Sequence, residues 1–386
     1  MRVCLDLSPA VQDHAGLGRY AEELARALLE LRDGCEVRIF YTDSRGRKPA
    51  PPLDALPHKS MRWPNKPWRM SALVCSYTRF PMDSLAGDAD VFHATDHLLP
   101  HLRRIPSVFT LHDLIPLERP AAHLPLNRWY LQLMLPRFLR RADAIICVSQ
   151  HTKNDAVRFF QGIESKIHVI PEGVNSSFRP VQDPEALAEV RARYDLPERF
   201  ILFVGTIEPR KNLETLWEAY RALRSEGRTE MLVVVGRKGW LYQPTLARLR
   251  DLGLEDEVLF SGYVSNSDLP AIYALAKCFV FPSLYEGFGL PPLEAMACGC
   301  PVVCSNSSSL PEVCGDAAIL IPPTDASALT SALRRLLEDA ALRDDLRTRG
   351  LQQAARFTWE EAARKTLEVY RSVVGHRRNL LFRSSL

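Results

Sequence analysis

Two glutamates stand eight residues apart across a glycine-rich turn. Glu286 and Glu294 begin and end the segment EGFGLPPLE, in which Pro291 and Pro292 suit the first positions of a helix because a missing N–H costs nothing there. We therefore predict Glu294 in the first turn of that helix and Glu286 in the loop before it. The N–H groups at a helix start attract anionic oxygen, and charged carboxylates accept hydrogen bonds worth about 1.5–3 kcal/mol from hydroxyls. The pattern predicts a site for a phosphorylated sugar.

A simpler interpretation fits each glutamate taken alone. The helix dipole favours an acidic residue in a first turn, which would explain Glu294, and a loop residue such as Glu286 can be solvated. This segment by itself leaves both interpretations open.

Two adjacent cations, Arg210 and Lys211, lie in a loop after a predicted strand over residues 200–205. Asn212, which follows them, is suited to cap the next helix. The cations match a diphosphate, because preorganised positive charge stabilises a leaving nucleoside diphosphate where water is excluded. Surface cations are common, so Arg210 and Lys211 alone are weak evidence for a diphosphate site. The prediction is stronger because they lie at the same end of the sheet as Glu286.

The segment GLGRYA from Gly16 to Ala21 matches the G-x-G-x-x-A pattern of a dinucleotide-binding loop. In such a loop the first glycine follows the strand directly, whereas residues 8–15 intervene here, so NAD binding is disfavoured. We instead expect Gly16 and Gly18 to admit a ligand close to the backbone at the start of a helix over 19–31. A plain loop before a helix is the alternative.

His112 follows a predicted strand over residues 107–111, which places an imidazole at another strand end. It could bond a sugar hydroxyl or the departing phosphate. A lone histidine is more often structural, and only the converging motifs favour a role in chemistry. His93 and His97 hold similar positions in a weaker context.

The candidate residues fall at the ends of short β-branched runs that alternate with helical patterns, which predicts a parallel α/β fold. The first series has strands at 2–7, 36–41, 91–94, 107–111, 144–148 and 166–170, with helices at 19–31, 126–141 and 152–160. The second has strands at 200–205, 231–236, 258–260, 278–281, 301–304 and 318–321, with helices at 213–223, 245–252 and 268–276. Two doubly wound, Rossmann-like domains facing each other across a cleft are predicted, with ligands beyond the carboxyl ends of the strands.

A segment over residues 175–197 is rich in Pro, Asp and Glu and contains one short helical pattern, so we interpret it as the connection between the halves. The predicted N-terminal domain covers residues 1–178 and the C-terminal domain covers residues 196–359. A last helix over about 360–386 is expected to pack back on the N-terminal domain.

Composition limits the classes of partner. The 386 residues are 46% hydrophobic and carry a net charge of +3, which is too small and too scattered for nucleic-acid binding. No apolar run reaches the roughly 18 residues that span a bilayer, and Asp6 interrupts the apolar start, so we expect neither export by that route nor a membrane span. Nine scattered cysteines suggest small buried side chains in a reducing cytoplasm, without the pairing of a zinc site.

Nearly the whole chain resembles the family 4 retaining glycosyltransferases of the GT-B fold. The most specific element is EGFGLPPLEAMACGCPV from Glu286 onward, which is similar to the E-x7-E motif of that family. Residues 205–211, residues 16–18 and His112 agree with it. The resemblance implies transfer of a hexose from a nucleotide-sugar donor, bound on the C-terminal domain, to an acceptor bound on the N-terminal domain, with retention of anomeric configuration.

The resemblance also implies roles. Glu286 would hold donor-sugar hydroxyls with help from backbone N–H groups near Phe288 and Gly289, and Glu294 would bind the ribose diol. The cation pair would hold the diphosphate, the N-terminal glycines would line the cleft, and the imidazole would contact the transferred sugar. The implied catalytic residues are His112, Arg210, Lys211 and Glu286. The implied donor-binding residues are Gly16, Gly18, Gly205, Arg210, Lys211, Tyr263, Val264, Glu286, Gly287, Phe288, Gly289, Leu290 and Glu294.

One position departs from the family pattern. Many relatives have Arg directly after the glycine of the first C-domain strand, where this chain has Thr206, and Arg210 is expected to substitute. The sequence Asp88-Ala-Asp90 precedes a strand and suggests a turn, so neither a metal nor another cofactor is expected. No carboxylate is identifiable as a nucleophile, so front-face attack is implied, in which the leaving phosphate oxygen takes the acceptor proton and Glu286 positions the sugar.

Residues 55–82 lack acidic side chains and interleave basic with aromatic ones. The basic residues are Lys59, Arg62, Lys66, Arg69 and Arg79, and the aromatic residues are Trp63, Trp68, Tyr77 and Phe80. This composition suits the inner face of a cell membrane, contacted peripherally through residues 59–80, and a glycan or lipid-linked glycan acceptor in envelope polysaccharide synthesis. A loop and helix with a solvated basic face is the alternative.

These residues do not identify the nucleotide base of the donor, although Tyr263 and Val264 are candidates to contact it. GDP-mannose or a related GDP-hexose is favoured because the segment around Tyr285 resembles mannosyltransferase members. UDP-sugars, with glucose or N-acetylglucosamine, are the alternative. A non-catalytic sugar-nucleotide-binding protein is an alternative from another class, which the full set of candidate residues disfavours.

Overall fold

Several strands of this chain are buried along their whole length, as expected in parallel sheets that helices cover on both faces. Every residue of SVFTL at Ser107–Leu111 and of CFVF at Cys278–Phe281 is buried. The computed structural model describes residues 1–12, 14–31, 35–122 and 124–384. Its contacts divide the chain into unit 1, over residues 1–117, 125–173 and 358–386, and unit 2, over residues 118–124 and 174–357.

Unit 1 is built on a sheet of seven parallel strands. The strands are β1 (Arg2–Asp6), β2 (Glu36–Thr42), β3 (His58–Met61), β4 (Val91–Ala94), β5 (Ser107–Leu111), β6 (Ala144–Cys147) and β7 (Ile167–Val169). The helices are α1 (Ser8–Val11), α2 (Ala15–Glu30), α3 (Asn65–Thr78), α4 (Ile115–Glu118), α5 (Pro125–Arg141) and α6 (Gln150–Phe159). The strand order is β3-β2-β1-β4-β5-β6-β7, and every neighbouring pair is parallel.

Unit 2 repeats the plan with six parallel strands in the order β10-β9-β8-β11-β12-β13. They are β8 (Phe200–Val204), β9 (Met231–Val235), β10 (Val258–Gly262), β11 (Cys278–Phe281), β12 (Val302–Ser305) and β13 (Ala318–Ile321). The helices are α7 (Pro184–Arg193), α8 (Leu213–Ser225), α9 (Gln243–Asp251), α10 (Leu269–Leu275), α11 (Leu290–Ala297), α12 (Leu310–Cys314), α13 (Ala326–Glu338) and α14 (Ala340–Ala354). The last helix, α15 (Trp359–Ser384), returns to unit 1. The predicted α/β class with two parallel sheets is confirmed.

Helix α15 packs on α2 in unit 1, where the Trp359 and Tyr20 ring centroids lie 5.7 Å apart. Tyr370 is buried on this helix, and its hydroxyl lies 2.6 Å from Nδ1 of His93 on β4. The helix was expected to extend over residues 360–386, of which 385 and 386 lie outside the described residues.

The predicted start of a helix at residue 19 was wrong, because α2 already begins at Ala15. Both glycines therefore lie in its first turn. A Cβ at Gly18 would meet the carbonyl oxygen of Pro9 at 2.8 Å, so a residue without a side chain lets α2 approach α1 closely.

Strand β3 was not predicted from the sequence. Its four residues, HKSM, have exposed or half-buried side chains at the edge of the sheet, so they carry no apolar alternation. Among the described residues, none forms a helix with the length and apolarity to cross a bilayer.

Candidate active site

The strand order of unit 2 changes direction between β8 and β11, since the strands that follow β8 extend one side of the sheet and those that follow β11 extend the other. Ligands of doubly wound sheets lie beyond the carboxyl ends of the strands at such a point. The segments after these two strands, 205–212 and 282–289, carry Arg210, Lys211 and Glu286. The topology thus brings the predicted cations to the predicted carboxylate.

Glu286 is buried and ion-paired on both of its oxygens. Oε2 lies 2.6 Å from Nη1 of Arg210, and Oε1 lies 2.7 Å from Nζ of Lys211. The hydroxyl of Ser283 donates to Oε1 at 2.5 Å. Burial opposes ionisation of this carboxyl, yet the two cations and the hydroxyl lower its pKa to about 2. Glu286 is therefore an anion at neutral pH, and it is not the solvated loop residue of the simpler interpretation.

Lys211 is 7% exposed, with Nζ 4.5 Å from the ring centroid of Phe281 on β11. Burial and the charge of Arg210 lower the pKa of Lys211, and the nearby carboxylates oppose that shift. Glu208, which is 2% exposed, accepts from Nη2 of Arg210 at 2.6 Å. Two cations and two carboxylates give this cluster no net charge, and each charge is paired with an opposite one. We call these four residues, Glu208, Arg210, Lys211 and Glu286, the charge cluster.

A run of serines fixes the loop that carries Glu286. The N–H of Glu286 donates to Oγ of Ser308 at 2.8 Å. Oγ of Ser309 lies 3.0 Å from the carbonyl oxygen of Glu286 and 2.5 Å from that of Phe288. Ser308 has a φ of 53°, a left-handed conformation that a non-glycine residue holds only when its surroundings impose it. The backbone geometry of the glycine-rich turn is therefore set by residues from the next strand-to-helix connection.

Glu294 does not lie in a first turn, and the prediction that it does was wrong. Helix α11 begins at Leu290, which makes Glu294 its fifth residue, and the side chain is 2% exposed. The hydroxyl of Tyr273 donates to its Oε2 at 3.4 Å. The simpler interpretation, a first-turn acid stabilised by the helix dipole, therefore does not describe this residue.

Gly289 occupies the N-cap position of α11 with a φ of 123°. A Cβ there would lie 2.8 Å from Cδ2 of Leu310, so both the conformation and the space favour glycine. The neighbouring predicted residues are partly or fully buried: Phe288 packs its ring 5.8 Å from that of Phe357, and Leu290 is 9% exposed.

Tyr263 and Val264, which follow β10, differ in exposure. The Tyr263 ring is 58% exposed and carries the Arg237 guanidinium 4.3 Å from its centroid. Val264 is 5% exposed, so its side chain belongs to the core. Arg237 lies in the segment after β9. The backbone of that segment also pairs with the loop of the two cations, since the N–H of Ile207 donates to the carbonyl oxygen of Arg237 at 3.0 Å.

Gly205 follows β8 directly, and its N–H donates to Val235 on β9 at 2.9 Å. Asn212 stands at the N-cap position of α8, but its side chain does not cap the helix as predicted. Its amide instead donates to the carbonyl oxygens of Pro282 and Pro323, at 3.0 and 2.5 Å. This amide ties the loop of the two cations to the segment that begins the Glu286 loop.

His112 lies in unit 1, after β5, and is 6% exposed. Its Nε2 lies 2.9 Å from the carbonyl oxygen of Thr95, which follows β4, and its Nδ1 lies 3.4 Å from Oε1 of Glu172. The Tyr20 ring from α2 meets the imidazole edge-on, with centroids 4.7 Å apart. Gly16 and Gly18 lie on the same helix as Tyr20, so the predicted residues of unit 1 are on elements that contact one another.

Several contacts of the two sites were missed from the sequence. They come from Glu172, Glu208, Ser283, Ser308 and Ser309. A polar run such as residues 307–309 signals a loop, but nothing in it indicates which backbone groups its hydroxyls meet. Glu208 had a usable signal, because it lies two residues before Arg210 in the same short segment.

The acidic residues of Asp88-Ala-Asp90 are engaged by cations. Asp88, three residues before β4, pairs with Arg2 at 2.5 Å and also with Arg38. Over residues 1–12, 14–31, 35–122 and 124–384, no group of three or more His, Cys, Asp or Glu side chains could hold a metal ion. Seven of the nine cysteines are buried.

The fold and its comparison with known structures define the class of protein. Sucrose-phosphate synthase from Thermosynechococcus elongatus superimposes with a TM-score of 0.74, at 23% identity, over 97% of this chain and 100% of that one. This likeness shows the GT-B glycosyltransferase fold.

The family follows from sequence comparison. Residues 14–178 match the family described as Glycosyltransferase Family 4, and residues 188–353 match Glycosyl transferases group 1. The chain belongs to the family 4 glycosyltransferases and is an enzyme of that family.

Two curated relatives are mannosyltransferases. O-antigen chain mannosyltransferase B from Escherichia coli is 33% identical over 96% of this chain and 100% of its own length. MMP alpha-(1->4)-mannosyltransferase from Mycolicibacterium hassiacum is 30% identical over 97% of this chain and 98% of its own length. The chain is thus mannosyltransferase-like along its whole length.

Proposed function

We propose that this enzyme transfers mannose from GDP-mannose to a glycan or lipid-linked glycan acceptor, with retention of configuration and without a metal ion. The observation that carries the proposal is the charge cluster at the point where the strand order of unit 2 changes direction. The mannosyltransferase relatives support the choice of sugar, and the O-antigen relative supports an acceptor in envelope polysaccharide synthesis.

Donor binding is proposed to exchange partners within the charge cluster. Phosphate oxygens would take over N–H groups of Arg210 and Lys211, and this exchange would release the Glu286 carboxylate to accept hydrogen bonds from sugar hydroxyls. Backbone N–H groups at Phe288 and Gly289 would add donors at the start of α11. Glu294 would hold the ribose diol.

Glu286 is a poor candidate for a nucleophile. Both carboxylate oxygens accept charge-assisted hydrogen bonds, and a carboxylate with a pKa of about 2 has low basicity. These properties support a front-face reaction. The bond from the anomeric carbon to the phosphate oxygen breaks, the bond to the acceptor oxygen forms on the same face, and the acceptor proton passes to the leaving phosphate oxygen.

Thermal unfolding with nucleotides tests the donor. GDP and GDP-mannose are expected to raise Tm more than UDP and UDP-glucose at equal concentration, since a ligand at about 100 times its Kd stabilises by roughly 2.7 kcal/mol. A larger shift with the uridine nucleotides would contradict the guanine assignment and favour the UDP-sugar alternative. GDP release from GDP-mannose in the presence of acceptor separates an enzyme from a binding protein.

Removal of divalent cations is expected to leave turnover nearly unchanged. In the proposed mechanism the two cations of the charge cluster and the start of α11 stabilise the leaving diphosphate, which is the task of a metal ion in other transferases. The measurement is kcat with and without EDTA, with added Mg²⁺ and Mn²⁺ as controls. A loss of activity that either cation restores would contradict this part of the proposal.

A basic and aromatic surface of unit 1 is proposed to contact an anionic membrane and so reach a lipid-linked acceptor. The exposed side chains before and along α3 are Lys59, Arg62, Trp63, Lys66, Met70, Val74, Tyr77, Arg79 and Phe80. Trp68 is not among them, since it is 3% exposed and packs in the core. Helix α5 extends the surface with Trp129, and its Arg137 guanidinium lies 4.0 Å from the Tyr77 ring centroid.

Vesicle sedimentation tests this surface. The protein is expected to sediment with vesicles containing anionic lipid, less so as salt rises, because each cation near such a leaflet contributes about 1 kcal/mol. Trp63→Ala with Phe80→Ala should weaken sedimentation about tenfold or more. Phe159→Ala, which removes a 40% exposed aromatic ring on α6, should not. Equal binding to neutral and anionic vesicles, or none to either, would contradict the proposed contact with an anionic membrane.

A further inference from the structure

Both ring nitrogens of His112 face hydrogen-bond acceptors. Nε2 lies 2.9 Å from the carbonyl oxygen of Thr95, and a carbonyl has no proton to give, so Nε2 carries a hydrogen. Nδ1 lies 3.4 Å from Oε1 of Glu172. A neutral ring would turn the lone pair of Nδ1 toward a carboxylate, which is repulsive. The contact is favourable only with a proton between the two atoms.

The surroundings hold this arrangement in place. His112 and Glu172 are 6% and 5% exposed, and a buried ion pair persists only when it is well hydrogen-bonded. The hydroxyl of Thr152 donates to the carbonyl oxygen of His112 at 3.2 Å, and Tyr20 covers the ring edge-on. Burial by itself lowers the pKa of an imidazole, but the Glu172 carboxylate and the Thr95 carbonyl raise that of His112 above its ordinary value.

We propose that Glu172 is a positioning residue that holds His112 as an imidazolium in one fixed orientation. Nε2 and Nδ1 each face an acceptor of the protein, so the ring is held in one orientation with its positive charge at this strand end. The inference rests on the proposed function only for its activity readout, because the charge of the ring is measurable without a substrate.

Other titratable groups also face the imidazole of His112, but none of them takes the place of Glu172 beside Nδ1. They are Tyr20 from α2, His93 from β4, and Asp96 and His97 from the segment after β4. Asp96 also raises the pKa of His112. Burial and, secondarily, the charge of His112 lower the pKa of His93 to about 3, so His93 is neutral where His112 is charged.

An NMR titration of the His112 ring nitrogens in the full chain tests the charge state. We expect both nitrogens to be protonated at pH 7 in the wild type, because a raised pKa keeps the imidazolium until the pH rises through the folded value. In Glu172→Gln the raising carboxylate is gone and burial remains, so the proton is expected to leave at lower pH. A neutral ring in the wild type at pH 7, or the same titration in both proteins, would overturn the proposal. The first of these needs no variant.

The pH profile of kcat/KM tests whether the reaction depends on the positive charge of His112. In Glu172→Gln the alkaline limb should move to lower pH, with about a tenfold loss at pH 8 and less than a twofold loss at pH 5.5. Asp155→Asn is the matched control, since it removes a carboxylate 3.2 Å from Nε2 of His151 on α6 and should leave the profile unchanged. A shifted NMR titration with an unchanged profile would support the pairing and overturn its part in the reaction. A uniform loss at all pH values would mark Glu172 as structural and overturn the positioning role.

Discussion

The Glu286→Gln variant is expected to turn over its sugar donor about 10²- to 10³-fold more slowly than the wild type, because it loses charge-assisted hydrogen bonds worth several kcal/mol. Glutamine keeps the size of the side chain. One of its two terminal atoms, however, becomes a donor and faces Arg210 or Lys211, which can only donate. The measurement is kcat, followed as nucleoside diphosphate release.

The same substitution should change how stability depends on pH. The folded pKa of Glu286 is about 2, below the ordinary value of 4.5, so the contribution of the carboxylate is present above pH 4.5 and is lost as the pH falls toward 2. Near neutral pH the wild type is expected to be more stable than Glu286→Gln by about 3 kcal/mol. Urea unfolding at pH 7, 4 and 3 should show this difference shrinking with acidity.

Two further observations bear on the role of Glu286. Glu255→Gln, at an exposed position before β10, is the control and should change neither kcat nor the acid dependence. A glycosyl adduct on Glu286, detected by mass spectrometry in enzyme slowed by a poor acceptor, would falsify the holding role and establish a nucleophile.

The Lys211→Met variant is expected to lose about 10²- to 10³-fold in kcat/KM for the donor, from both a higher KM and a lower kcat. Without Lys211 the charge cluster has one cation and two carboxylates, so it repels a diphosphate. Methionine can still pack against Phe281, whose ring centroid lies 4.5 Å from Nζ of Lys211. Activity should therefore fall much further than Tm.

Lys277→Met is the matched control, because Lys277 precedes β11 and so lies at the opposite end of the same strand from Glu286. Its kinetics should stay within twofold of the wild type. Lys211→Arg keeps the charge and should recover part of the donor affinity. If Lys211→Met kept the wild-type KM and kcat, the diphosphate would have to be held elsewhere.

The part of the site that could be predicted from sequence is the part that topology enforces. Arg210, Lys211 and Glu286 each follow a buried strand, and the two strands are neighbours in the sheet, so chain order and strand order together bring them within contact distance. The two sheets were predictable for the same reason, since fully buried strands have a strong apolar signal. The roles of these residues in binding and transfer stay predictions.

What could not be predicted depends on small offsets in three dimensions. Helix α11 starts one residue before Pro291, so Glu294 lies beyond the first turn, where it was predicted, and its buried side chain contacts Tyr273. The partner of His112 comes from Glu172, 60 positions along the chain, and no local pattern connects the two. Trp68 was assigned to an exposed aromatic surface because composition cannot say which face of a helix turns inward.

The balanced charges of the cluster have a consequence for selectivity among the anions of a cell. A vacant site with exposed positive charge would collect free phosphate and other abundant anions, which would compete with the donor. Here each cation already has a carboxylate partner, so a simple anion gains little by displacing it. In the proposed mechanism a sugar nucleotide would compensate for the exchange, since its phosphates would satisfy the cations while its hydroxyls satisfied the displaced carboxylate. Under the proposed donor exchange, the paired charges would act as a filter that admits a ligand only when it brings both kinds of group.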